Sequence, residues 1–110
     1  MHATPGSAVE REILRPLWKV HILHHAGESA IVGNWMLEEL REHGYRVSPG
    51  TLYPMLARMT RTGWLQKNKS GRYRLTAAGR RALAEVRARL AELQIEVFRP
   101  RPKAAKPPRP

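Results

Sequence analysis

Apolar residues recur at helical spacing in four separate stretches of this chain and alternate at strand spacing in one short stretch. From Val9 to Ala26, Ile13, Leu14, Leu17, Trp18, Val20, Ile22 and Leu23 predict a helix with more than one buried face. Pro16 falls inside it. Either the helix bends there, or a new helix starts near Arg15 with Pro16 in its first turn; a continuous but bent segment is the expectation. Gly27 and Glu28 end the segment, and Ser29 is placed to cap a second helix over roughly 30–43. Val32, Met36, Leu37 and Leu40 form its buried stripe, with Gly33 on the same side, where a missing side chain permits close packing. Gly44 stops it.

A third helix is predicted from about 49 to 62, with Ser48 as its N-cap and Pro49 at its first position. Leu52, Met55, Leu56 and Met59 follow the i, i+3, i+4, i+7 pattern and face the core. Thr51, Pro54, Arg58 and Arg61 fall on the outer side, and Tyr53 lies between the two faces. Pro54 lacks a backbone donor and crowds the carbonyl of Gly50, so a local bend is expected there. Gly63 closes this helix. Trp64-Leu65-Gln66-Lys67 and Arg72-Tyr73-Arg74-Leu75 then predict two strands around the turn Asn68-Lys69-Ser70-Gly71. Alternation puts Tyr73 and Leu75 on one face and Arg72 and Arg74 on the other. Thr76 is placed to cap a last helix over roughly 77–98, in which Leu83, Val86, Leu90, Leu93 and Val97 form a heptad seam suited to another helix.

Composition narrows what this order of elements is for. At 110 residues there is room for one small domain, whose core gains from a partner subunit. Twenty basic residues, fifteen of them arginine, face nine acidic ones, for a net charge of +11. A pI near 11.3 fits a polyanionic partner. The charge is not a property of the tail alone: residues 1–98 still carry 15 basic and 9 acidic side chains. There is no cysteine, which removes disulfides, thiolate metal sites and cysteine nucleophiles. No signal-peptide pattern and no stretch of membrane-spanning length is visible, so a soluble, cytoplasmic protein without a membrane partner is expected. No Gly-rich phosphate loop, no aspartate and no nucleophile beside a base is present, so no catalytic set is assigned and no enzyme is expected.

Helix, short turn, helix and basic hairpin, in that order, are the parts of a DNA-binding winged helix-turn-helix. The helix starting at Pro49 is the candidate recognition helix, with Thr51 near base edges and Arg58 and Arg61 toward the backbone. Tyr53 either donates its hydroxyl to a phosphate or packs as a core or interface aromatic. Lys67, Lys69, Arg72 and Arg74 make the hairpin a basic wing; the plainer reading is a solvated hairpin whose charges prevent edge pairing.

Val47-Ser48-Pro49-Gly50-Thr51-Leu52-Tyr53-Pro54-Met55-Leu56, then Gly63-Trp64-Leu65, then Tyr73-Arg74-Leu75-Thr76-Ala77-Ala78-Gly79, resemble the signature of the PadR-like winged-helix transcriptional regulators. The resemblance covers about residues 12 to 95 and rests on the specific S-P-G-T-L-Y-P core. It implies a mainly α winged helix-turn-helix, three helices plus a two-stranded wing, with one C-terminal dimerisation helix. It further implies a homodimer, usually a repressor, and treats Pro54 as a tolerated feature of the helix. Ser48, Thr51, Tyr53 and the basic wing map onto the DNA-facing surface. The candidate DNA-binding set is thus Ser48, Gly50, Thr51, Tyr53, Pro54, Arg58, Arg61, Lys67, Lys69, Arg72 and Arg74, with Leu83, Val86, Leu90, Leu93 and Val97 as dimer interface. The wing is shorter than in many members, and a single helix after it matches the branch with a small C-terminus.

The expected organisation is a flexible start over 1–8, a DNA-binding domain over 9–76, the dimerisation helix over 77–98 and a disordered Pro-, Arg- and Lys-rich tail over 99–110. The tail's Arg99-Pro100-Arg101-Pro102-Lys103 is weakly similar to minor-groove hooks, and a solvated tail is the default. Trp18 and Trp35 either fill the core, the favoured reading, or stack on a flat small-molecule effector. His21 and His25 have the i, i+4 spacing of a metal pair, with His43 or Glu28 as a third donor, though histidines at a surface or helix end are the default and no metal or other cofactor is assigned. The expected function is a homodimeric, sequence-specific repressor that binds operator DNA and is released by an effector. The rivals are a ligand or metal sensor and a nucleoid-type protein of low sequence preference.

Overall fold

The computed structural model describes residues 7–99. The expected loose start and the Pro-rich tail therefore lie outside the described residues, apart from their inner ends. Four helices and one hairpin follow in order: α1 (Arg15–Glu28), α2 (Gly33–Glu42), α3 (Pro49–Thr62), β1 (Leu65–Lys67), β2 (Tyr73–Leu75) and α4 (Ala77–Phe98).

A π-helical turn, Glu10–Leu14, runs straight into α1, so both expectations for Pro16 hold in part. The backbone stays helical through Leu14 and Arg15 without a break. The widened turn ends just before the proline, which then sits in the first turn of α1, where its missing N–H is not needed. Ile13, expected inside, is 60% exposed on this leading turn.

The stretch between α1 and α2 corrects the sequence reading. Ser29 does not cap α2; it closes α1, its N–H donating to the His25 carbonyl at 3.1 Å. Helix α2 starts three residues later than expected, because Ile31 is extended and exchanges two 2.8 Å hydrogen bonds with Tyr73 of β2. Neighbouring side chains in extended backbone point opposite ways, so Ile31 enters the core and Val32 is exposed rather than buried. The pairing makes the wing a three-residue-wide ribbon anchored to the body of the domain.

Helix α3 has the expected limits, and all four residues of its inner stripe are buried. Its termination at Gly63 follows from backbone geometry: Gly63 takes φ 96°, and Trp64 N–H reaches back to the Met59 carbonyl at 3.0 Å. Ser48, expected to cap α3, has the extended backbone of an N-cap, but its hydroxyl donates to Thr51 Oγ1 at 3.2 Å and caps no backbone group. Thr76 does cap α4, accepting from Gly79 N–H at 3.0 Å, and its hydroxyl also donates to the Gly63 carbonyl. That one side chain ties the end of α3, the end of the wing and the start of α4 together.

The core gathers Trp18, Ile22 and Leu23 of α1, Met36, Leu37 and Leu40 of α2, the inner stripe of α3, Leu65, Tyr73 and Leu75 of the hairpin, and Leu83 of α4. The hairpin register, Leu65 opposite Leu75, turns both leucines inward and leaves Gln66 and Arg74 paired outside at 2.6 Å. Among the described residues, no helix is long and apolar enough to cross a membrane.

Candidate nucleic-acid interface

Burying Leu52, Met55, Leu56 and Met59 fixes which side of α3 faces outward. Ser48, Gly50, Tyr53, Pro54, Arg58 and Arg61 are exposed, and Thr51 is half-buried. The hairpin packs directly beside α3 and carries Lys67, Lys69, Arg72 and Arg74 exposed. Lys67 lies over the Tyr73 ring at 5.4 Å, and Asn68 Oδ1 accepts from the N–H groups of Ser70 and Arg72, which stiffens the turn between the strands. The sequence-assigned polar and basic residues thus lie on α3 and on the hairpin beside it, all exposed except half-buried Thr51.

Tyr53 is packed on one side and open on the other. It is 41% exposed, yet its ring lies so close to Gly33 that a Cβ there would sit 2.5 Å from Cε1. The glycine on α2 is the seat that lets this aromatic cross from α3. Helix α2 begins there without a side-chain cap, at Val32, so the Tyr53 hydroxyl lies beside uncapped backbone N–H groups.

The sequence reading passed over several exposed basic residues near these elements in the chain. From His43 to Ala84 the chain holds nine lysines and arginines and no carboxylate. All nine are exposed, including the overlooked Arg46, Arg80 and Arg81. Among the described residues none of the nine has a carboxylate within ion-pair distance. The absence of acids over this stretch was legible in the sequence and would have found them. At the lead-in to α3, Arg46 joins Arg15 and Arg41, from outside this stretch, in lining a cavity of about 600 Å³ with Tyr45, Val47, Ser48 and Thr51. Arg41 is a strut there: its guanidinium donates to the Val47 carbonyl at 3.2 and 3.0 Å.

Three other candidates are sorted by burial. Trp18 is wholly buried among core side chains, which corrects its alternative as a stacking platform: no face of the indole is presented. Trp35 is 47% exposed, edge-on to His25 at 5.3 Å, and lines a second cavity with Ile31, Val32 and Arg72. Leu83 is likewise removed from the proposed dimer seam, because it is a core residue of its own chain. Val86 and Leu90 are half-buried beside α1, while Leu93 and Val97 stand 52% and 58% exposed.

Three helices, a two-stranded wing and a following helix in this arrangement define a winged helix-turn-helix protein. The model of the transcriptional regulator PadR-like family matches residues 22–85. The transcriptional regulator Rv3488 of Mycobacterium tuberculosis is 50% identical over 95 residues, covering 80% of this chain and 89% of that one. A PadR-like transcriptional regulator from Bacillus cereus has the same fold, with a TM-score of 0.69 at 24% identity, over 79% of this chain and 93% of that one. A PadR family transcriptional regulator from Eggerthella lenta gives a TM-score of 0.64 at 28% identity, over 79% and 83% of the two chains. This chain belongs to the PadR-like family of transcriptional regulators.

Proposed function

We propose that this chain binds operator DNA as a homodimer and represses transcription. The observation that carries this is the carboxylate-free run from His43 to Ala84, whose nine exposed cations lie on α3, its lead-in, the wing and the start of α4. Duplex DNA releases counterions when such cations neutralise its phosphates, and a surface without acids loses none of that gain to internal pairing. The outer face of α3 enters the major groove, with Thr51 at a base edge. Tyr53, beside the uncapped start of α2, takes a phosphate together with backbone N–H groups. Arg58, Arg61 and the wing contact the backbone on either side.

The exposed apolar end of α4 supports a twin-chain partner, since Leu93, Val97 and Phe98 would be covered by a second copy packing along the seam. Two-fold symmetry then presents two α3 helices to one face of DNA and requires an inverted repeat with half-sites about one helical turn apart. Release by a small effector belongs to the same reading, and half-exposed Trp35 beside its cavity is a suitable stacking surface.

Genome-wide recovery of bound fragments, followed by mobility shifts against random competitor of matched length, tests this. An inverted-repeat motif that outlasts excess competitor is expected. Complete competition by random DNA would replace it with a coating protein of low sequence preference.

A further inference from the structure

Helices α1 and α2 each present a pair of donor side chains at i, i+4 spacing toward the other: His21 and His25 from α1, Glu39 and His43 from α2. We propose that His21, His25 and His43, with Glu39 as the fourth donor, form a binding site for a divalent transition-metal ion of the zinc class. The site does not depend on the DNA-binding reading.

Three imidazole nitrogens, one from each histidine, lie within 4.8 Å of one another. Tetrahedral zinc separates its nitrogen ligands by about 3.3 Å, so small side-chain rotations close the set. Glu39 Oε2 is already 3.1 Å from His43 Nε2 and 3.5 Å from His25 Nε2, bridging the two helices. Partners for the ring nitrogens are also in place. The carboxylate of Glu28 lies 3.3 Å from His25 Nδ1, which leaves Nε2 facing Glu39 as the ligating atom. The Tyr45 hydroxyl, 2.9 Å from His21 Nε2, steadies that ring. Three imidazoles and one carboxylate suit zinc, nickel, cobalt or copper and not magnesium or calcium.

A second group, His24, His25 and Glu28, is less suited. All three come from the last turns of one helix, and Arg87 places a cation 3.3 Å from His24 Nδ1. The two groups share His25, so mutagenesis of the others separates them. An ion at the first group would pin α1 to the last turn of α2, next to the turn that leads into α3.

The test uses untagged full-length protein stripped with chelator and titrated with Co²⁺ as a spectroscopic probe. Four-coordinate d–d bands saturating at one ion per chain, and bleached by equimolar Zn²⁺ but not by excess Mg²⁺, are expected. His21→Gln, His43→Gln and Glu39→Gln should each weaken binding by at least about tenfold, while His24→Gln leaves it unchanged. Circular dichroism establishes that each variant is folded, and loss of the metal-induced rise in Tm provides the second readout. Absence of the bands overturns the proposal. So does His43→Gln binding as tightly as the parent, or His24→Gln losing affinity in its place.

Discussion

Helices α3 and α4 are both amphipathic, yet one is complete within the chain and the other is not. Every apolar residue of the α3 stripe is buried, and beyond Pro49 and Gly50 of its first turn the exposed remainder is polar or basic apart from Tyr53 and Pro54. Helix α4 is complete only over its first turns, where Gly79 and Leu83 are buried. Its last turns carry Leu93, Ile95, Val97 and Phe98 at 52–79% exposure. The difference is one of supply: α2 and the hairpin pack against α3, while the last turns of α4 outrun the elements beside them. A stripe already satisfied by its own chain leaves the opposite face free for a charged ligand. A stripe left uncovered calls for an apolar one.

The same substitution in the two helices should therefore cost very different amounts. Leu56→Ala empties a fully enclosed position and is expected to lower stability by about 2–5 kcal/mol in denaturant unfolding. Leu93→Ala should change the stability of the dilute chain by less than about 0.5 kcal/mol, because little is enclosed there. At high concentration Leu93→Glu should weaken self-association by roughly tenfold or more in sedimentation equilibrium. Equal self-association of parent and variant would break the contrast, and α4 would then be an overhang with no partner copy.

The outer face of α3 gives a subtler test. Gly33→Ala collides with the Tyr53 ring, which can swing outward because its other side is exposed. The fold should survive with little change in Tm. Affinity for operator DNA should fall by about 1.5 kcal/mol, roughly tenfold, as a phosphate hydrogen bond is misplaced. Unchanged DNA affinity would mean that Tyr53 only packs. Arg72→Ala should weaken binding uniformly across sequences and flatten the salt slope by about one unit, and an unchanged slope would remove the wing from the interface.

The smallest effect lies in the histidine group. His21 is held below its ordinary value of 6.5, so the folded state binds fewer protons there than the unfolded one. Stability from this group is present above that value and is lost as pH falls through it toward the folded-state pKa. His24, His25 and His43 act in the same direction as burial, and Glu39 acts against them. Without added metal, Tm should drop modestly between about pH 7.5 and pH 5.5, and His21→Gln should shrink that drop. An equal drop in the variant would assign the pH dependence to other groups.

Local chemistry decided what was legible beforehand. The limits of α3 and α4 follow from Pro49, Gly63 and Thr76, whose effects act within a few residues. The basic surface follows from a long run with no acid to neutralise it. Ser29 and Val32 were misassigned because a distant strand residue, Tyr73, claims Ile31 in extended form and overrides a good capping sequence.

By itself the sequence determined the number and order of elements, the inward side of each helix and the sign of the surface, since periodicity, turn chemistry and charge are properties of neighbouring residues. Only the tertiary structure decided that Trp18 is core and Trp35 is not, that Gly33 seats Tyr53, that Leu83 leaves the seam, and that His43 joins His21 and His25. Each of these depends on which helices face one another. That is set by how the whole apolar surface can be enclosed at once, a condition that no short stretch of chain contains.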